Sequence, residues 1–305
     1  MIPLCSPSQA CLPTAIALGS FDGLHAGHKR VIKEITNSDK GVPTVVSFWP
    51  HPREVLYGES RLRLDLPSEK GALLETLGVK QLVLVPFDHY LAELTAEKFF
   101  NEVLINKLQS KRIAVGANFR FGKNREGDPY VLKKLCESAD LELSIVPILE
   151  DAQGRMSSSR IRSELKQGNL KATKDLLGRP YIFRGLVIPG KGLGKTIGWP
   201  TANLQVDGRK LLPGIGVYAA WATKLNGKNK FPAVMNLGPQ PTIDPLAPSA
   251  VEVHLLNQEI DLTQNELIIE PVKRIRSQKK FKDLNTLSEQ IGLDAKIAQE
   301  ILSKI

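Results

Sequence analysis

Two histidines three residues apart, His25 and His28, lie in the run Gly19-Ser20-Phe21-Asp22-Gly23-Leu24-His25-Ala26-Gly27-His28. At the opening of a helix this spacing puts both imidazoles on one face, beside backbone N–H groups that attract anions. Gly19, Gly23 and Gly27 let the backbone approach a ligand closely. Together these parts suit a reaction in which charge develops on phosphate oxygens and is stabilised by donors, with no covalent nucleophile. A capping or surface pair of histidines in a glycine-rich turn would show the same residue types, so the neighbouring segments must decide.

A second glycine-rich run, Gly190-Lys191-Gly192-Leu193-Gly194-Lys195-Thr196, precedes Gly198-Trp199-Pro200-Thr201-Ala202-Asn203. It is not a P-loop: the first glycine of that motif would fall on Pro189, and Pro200 would break the helix that should follow. A dinucleotide fingerprint would need glycine at Lys195. The glycines and lysines can still wrap phosphates through N–H groups and charge. Further on, Val251-Glu252-Val253-His254-Leu255-Leu256 alternates, so Glu252 and His254 share one face and the aliphatic residues the other. A carboxylate there is either a solvent-facing side chain or a general base; the alternation fits both.

Positioning these residues is the work of two different textures. In the first half, apolar β-rich runs at 14–18, 44–48, 81–86, 112–115 and 143–147 alternate with helical spacing at 26–35, 69–77, 96–108 and 130–138. That alternation predicts a parallel sheet with helices on both faces, which binds ligands in the loops after its strands. Short helices are expected at 157–166 and 170–177, separated by Gly168-Asn169. Beyond 180, short strands at 181–188, 216–223, 233–237, 251–256 and 267–272, broken by Gly, Pro and Asn, predict a small antiparallel barrel or sandwich closed by a helix over 284–305. Two domains are expected, 1–178 and 179–305.

Composition narrows the class. The chain has 305 residues, and its 41 Lys and Arg against 32 Asp and Glu give a net charge of +9. The excess is shared, 25 against 21 over 1–180 and 16 against 11 over 181–305, so there is no basic tail and small phosphorylated molecules are the expected partners, not nucleic acid. The densest positive stretch, 273–282, reads as a solvated face. Cys5, Cys11 and Cys136 form no metal-ligand pattern and fit a reducing, cytoplasmic compartment. No 18-residue apolar run suggests a membrane span. Self-association is left open.

The run 19–28 resembles the G-x-F-D-x-x-H-x-G-H signature of nucleotidylyltransferases. Three more segments are similar in order and spacing to the prokaryotic bifunctional riboflavin kinase and FAD synthetase family: Phe48-Trp49-Pro50-His51-Pro52-Arg53, then 115–122 with Arg125 and Gly127-Asp128, then Ser157-Ser158-Ser159-Arg160-Ile161-Arg162. In the second half, 198–203 resembles the kinase G-x-P-T-A-N element, 235–242 the N-x-G-x-x-P-T turn and 251–256 the catalytic strand.

The resemblance implies ATP-dependent phosphorylation of riboflavin to FMN and adenylylation of FMN to FAD, with Mg²⁺ in both. By it, Gly19, Phe21, Asp22, His25, His28, Ser158, Ser159 and Arg162 bind ATP phosphates, and Asn118 and Arg125 hold flavin or nucleotide. Asp22 has two readings, a turn cap or a magnesium contact. In the kinase, Gly190, Lys191, Gly192, Gly194, Lys195 and Thr196 bind ATP, Thr201 and Asn203 offer neutral oxygens to the metal, and Glu252 is the general base. The chain departs from the family pattern at Asn257 and at Asp261-Leu262-Thr263-Gln264, beside the expected flavin loop, and the family counterpart of the positive stretch 273–282 lies by the flavin site.

Overall fold

Alternate residues of the strand Thr14–Leu18 face two different cores: Ile16 and Leu18 pack with Phe99, Phe100 and Leu132 on one side, Ala15 and Ala17 with Val31, Ile35 and Leu74 on the other. A strand buried on both faces needs helices above and below it. The structure, a computed structural model, describes residues 2–37, 39–59, 62–190, 193–238, 251–258, 260 and 262–305. The predicted site residues Lys191 and Gly192, the 239–242 part of the predicted turn and Asp261 lie outside the described residues.

The chain folds as two compact units, Met1–Ser158 and Ser159–Ile305. In the first, β1 (Leu4–Cys5), β2 (Thr14–Leu18), β3 (Val42–Trp49), β4 (Gln81–Pro86), β5 (Ser110–Gly116) and β6 (Glu142–Val146) form a parallel sheet in the order β1-β4-β3-β2-β5-β6. Its helices are α1 (Ala26–Thr36), α2 (Pro52–Tyr57), α3 (Pro67–Glu75), α4 (His89–Glu93), α5 (Ala96–Phe99) and α6 (Pro129–Ser138). The strand order runs outward from β2 to β3 and β4, then returns to place β5 on the other side of β2. The carboxyl ends of β2 and β5 therefore flank a topological switch point, where such sheets open a crevice.

One expected helix changes type: after α5 the chain continues as a π-helix over Phe100–Lys107. Buried Phe99, Leu104 and Leu108 recur at steps of five and four residues, which the wider π turn keeps on one side. A small hairpin, β7 (Glu150–Asp151) with β8 (Gly154–Arg155), was not signalled by apolar pattern because its residues are mostly exposed.

The second unit opens with α7 (Ser158–Gln167) and α8 (Leu170–Leu177). Both pack on the strands that follow: Gly214 N–H donates to the Leu165 carbonyl, and a Cβ on Gly168 would stand 2.9 Å from the Tyr218 hydroxyl. The packing break thus falls at the start of α7, ahead of the change in sequence texture at 178–179. A closed antiparallel barrel follows, built from β9 (Phe183–Ile188), β10 (Ala202–Gln205), β11 (Gly216–Lys224), β12 (Lys230–Leu237), β13 (Val251–Leu255) and β14 (Glu266–Arg276) in the order β10-β13-β12-β11-β14-β9. Closure removes the exposed strand edges of an open sheet. A short helix, α9 (Leu193–Thr196), lies before β10, and α10 (Leu284–Leu302) packs Ala295, Ala298 and Leu302 on Val217, Ala219 and Val234.

Candidate active sites

At the end of β2 the chain turns through Phe21 and Leu24, both held at positive φ (44° and 43°) and both buried, at 2% and 1% exposure. Bulky residues rarely adopt that conformation, and such strain persists only where the surroundings fix it. Here Asp22 does the fixing. Its carboxylate accepts from Leu64 N–H (3.0 Å) and Asp65 N–H (3.3 Å), and its carbonyl accepts from the Ser158 hydroxyl (2.7 Å). Lys70 Nζ donates to the Ser20 carbonyl at 3.0 Å. Of its two sequence readings, Asp22 fits the turn-building one.

On this loop His25 caps α1 and His28 stands in its first turn, their rings stacked at 3.7 Å with Phe21 edge-on to His28 at 5.3 Å. A Cβ on Gly27 would approach His25 Cε1 to 3.1 Å, so glycine lets the ring lie flat against the helix. Nδ1 of each histidine is buried with no hydrogen-bond partner among the described residues. Burial, and then the Arg155 charge, lower the His25 pKa to about 4, against the upward pull of Asp22. His28 is lowered too, by burial first and then by His25, Lys70 and Arg155. The pair is therefore neutral at neutral pH in the free protein, a set of polar atoms buried without partners and surrounded by positive charge. An anion is what that environment lacks.

Asn118 lies across the switch point, after β5, where a Cβ on Gly116 would come within 3.3 Å of its Oδ1. Arg125 ends an exposed 3-10 turn beyond it, at φ 62°. Ser159 and Arg162 follow Ser158 on the first turns of α7. His51, between two prolines, caps α2: its Nδ1 accepts from Arg53 N–H at 3.1 Å.

In the barrel, β13 is flanked by β10 and β12, and the register aligns Asn203 with Glu252 and Glu252 with Asn236. Residues directly opposite in an antiparallel pair present side chains to the same face. Glu252 is thus the middle of a polar row, while Val251, Val253 and Leu255 point into the barrel at 0%, 1% and 6% exposure. Asn236 Nδ2 donates to Glu252 Oε2 (3.3 Å), and Gln278 Nε2 donates to Asn236 Oδ1 (3.0 Å). Gly190 and Gly194 of the glycine-rich run lie against the same row. A Cβ on Gly190 would overlap the Asn203 amide, and one on Gly194 would stand 3.1 Å from Thr201 Oγ1. Lys195 and Thr196 belong to α9 and are exposed. Gly190, Gly194, Thr201, Asn203 and Glu252 converge.

Several participants gave no sequence signal. Lys70 and Arg155, which set the charge around the histidines, lie in segments read for helix or loop alone. Gln278 looks like an ordinary polar residue until the barrel closes, whereas Asn236 is the first residue of the N-x-G-x-x-P-T turn. The positive stretch 273–282 is not simply a solvated face: Arg276 makes a paired bond to buried Asp294, with Nη2 to Oδ2 at 2.7 Å. Asn257, one of the family departures, takes φ 55°, a conformation asparagine tolerates better than most residues.

A parallel sheet with a buried, unpartnered histidine pair at its switch point, and a barrel with a carboxylate in a polar row beside Gly190 and Gly194, define a two-unit nucleotide-dependent transferase. The family model for FAD synthetase matches residues 8–160 and that for riboflavin kinase residues 177–302. The bifunctional riboflavin kinase/FMN adenylyltransferase of Escherichia coli (strain K12) is 34% identical, covering 97% of this chain and 94% of the relative; that of Bacillus subtilis (strain 168) is 33% identical, covering 96% and 93%. A solved structure from Streptococcus pneumoniae, named as a macrolide-efflux protein, superposes with a TM-score of 0.84 at 30% identity, covering 96% of this chain and 97% of that one. Among the described residues no helix is long and apolar enough to cross a membrane. The chain belongs to the bifunctional riboflavin kinase/FMN adenylyltransferase family: it phosphorylates riboflavin to FMN and adenylylates FMN to FAD, with ATP as co-substrate.

Proposed function

We propose that residues 1–178 carry out adenylyl transfer around His25 and His28, and that residues 179–305 carry out phosphorylation around Glu252. One observation carries the assignment: the chemistry-bearing residues gather twice, once at the switch point of the sheet and once on the polar row of the barrel.

For adenylyl transfer, an FMN phosphate oxygen is already ionised and needs no base. It forms a bond to the α-phosphorus of ATP as the bond to the β-phosphate oxygen breaks and pyrophosphate leaves. The unpartnered Nδ1 atoms of His25 and His28 gain an acceptor when phosphate arrives, and the negative charge favours their protonated forms. By the resemblance, Ser158, Ser159 and Arg162 bind phosphates, and Asn118 and Arg125 hold flavin or nucleotide.

For phosphorylation, the ribityl hydroxyl must lose its proton as it attacks the γ-phosphorus, and Glu252 accepts it while ADP departs. Asn236 holds Glu252 Oε2 through its amide N–H, and Gln278 fixes that amide by occupying its oxygen. By the resemblance, the glycines, the lysines and Thr196 of 190–196 bind the ATP phosphates.

The donor set fits Mg²⁺ in the barrel. Thr201 and Asn203 would supply hard oxygen ligands, beside a cradle that Cβ atoms on Gly190 and Gly194 would fill. Among the described residues no cluster of three His, Cys, Asp or Glu could hold a metal. Neutral ligands make metal binding depend on the nucleotide phosphates, whose charge the ion offsets when bound. The three free thiols and the evenly shared positive charge support a reducing cytoplasmic setting and small-molecule partners.

The test is incubation of the purified chain with riboflavin and Mg-ATP, which should yield FMN and then FAD. Glu252→Gln should abolish FMN formation yet convert supplied FMN to FAD, and His28→Ala should do the reverse. Loss of both activities in either variant, or a swapped pattern, would overturn the residue assignment.

A further inference from the structure

The ladder between β10 and β13 stops one residue short of Thr201: its last pair is Ala202 with Val253. Thr201 follows Pro200, which has no N–H and cannot extend the ladder. Backbone pairing therefore leaves the approach to Thr201 unsecured on this side. A side chain takes over. His254, opposite this point on β13 and two residues from Glu252, has Nδ1 2.8 Å from the Pro200 carbonyl oxygen. A carbonyl can only accept, so Nδ1 carries the hydrogen. The His254 ring also meets the Trp199 ring edge-on at 5.2 Å. From the other side α10 holds the same indole: Trp199 Nε1 donates to Ser288 Oγ (3.0 Å), and Ser288 Oγ donates to the Ile197 carbonyl (3.3 Å). Gly292 allows the close approach, since a Cβ there would lie 3.3 Å from Trp199 Cζ2.

We propose that His254 is a positioning residue of the kinase: by donating to the Pro200 carbonyl and bracing Trp199, it sets where Thr201 stands relative to Asn203, and so how well the pair receives a nucleotide-bound metal. The inference rests on the reading of Thr201 and Asn203 as metal ligands. His254 takes no proton from the hydroxyl; it acts through the Pro200–Thr201 segment.

The discriminating measurement is MgADP affinity at the barrel, followed through the Trp199 indole N–H resonance of the full chain, alongside steady-state phosphorylation of riboflavin. Removal of a hydrogen bond and a ring contact in His254→Ala should weaken MgADP binding by roughly tenfold and raise KM for MgATP similarly, with kcat at saturating Mg²⁺ within about threefold of wild type. Metal-free ADP should bind almost as before. His254→Asn, whose amide can still donate to Pro200, should recover most of the affinity. Adenylylation of supplied FMN reports that each variant is folded. Wild-type MgADP affinity in His254→Ala would overturn the proposal, as would a kcat loss with affinity intact, which would make His254 a chemical participant. Thr201→Ala separates the two layers. If it binds MgADP normally, the metal reading fails and the inference with it; if it binds weakly while His254→Ala does not, the inference alone fails.

Discussion

Lowering the pH should destabilise the first unit through its histidine pair. The His25 side chain, 6% exposed, has its pKa lowered from 6.5 to about 4. A lowered pKa means that the folded unit resists a proton the unfolded chain accepts. The stability contribution is therefore complete above the unfolded pKa of 6.5 and is lost as pH falls toward about 4. At about pH 5 the two protonation equilibria differ enough for His25 alone to remove about 2 kcal/mol. His28, lowered in the same direction, adds to the loss. Hydrogen exchange of the core amides of β2 and β5, corrected for intrinsic rates, gives the unfolding free energy of this unit at about pH 7.5 and about pH 5. A His25→Gln/His28→Gln double variant should lose much less stability over that interval. Equal losses in the two proteins would refute the buried, neutral pair. Nucleotide should act in the opposite sense, since phosphate charge raises both pKa values, so ATP binding near pH 6 should take up protons, seen as a binding heat that varies with buffer ionisation enthalpy.

Other expectations concern the barrel. Gly190→Ala would put a methyl group into the Asn203 amide and 2.8 Å from its Cγ, turning that side chain away; KM for MgATP in riboflavin phosphorylation should rise by about tenfold or more while adenylylation of FMN is kept. Asn236→Ala frees the Glu252 carboxylate to rotate, and single-turnover phosphorylation should slow by roughly tenfold, the worth of one hydrogen bond to a charged group. Asp294→Ala leaves the Arg276 guanidinium without its buried partner and should cost about 3–5 kcal/mol in urea unfolding of the barrel; a loss below about 1 kcal/mol would show the pair to be incidental.

Much of this was legible in the sequence where a residue's own chemistry or a short period announced it. β2 and β4 fall where apolar runs placed them, and His25, His28 and Glu252 occupy the expected loop and strand face. The signal weakens where the neighbour across space does the work. Thr201 and Asn203 read as alternate residues of an extended segment, but β10 has only four residues, and its place in the barrel comes from its partners β9 and β13. The π turn after Phe99 depends on how two phenylalanines share one core. The buried Asp294 looks like any acid on an amphipathic helix until Arg276 is seen beside it. Asp22 stands in a signature that suggests ligand contact, yet its carboxylate turns inward to two backbone N–H groups, a geometry set by residues more than forty positions away.

The C-terminal helix follows, in the chain, every strand that it braces. Its Ser288 and Gly292 hold Trp199, its Asp294 holds Arg276, and its Ala295, Ala298 and Leu302 cover β11 and β12. Among the described residues, each of these braces falls on the barrel unit. During synthesis, then, the strands of the barrel emerge before the helix that holds them. A premature stop or a nick before α10 would therefore remove all three braces of the barrel at once.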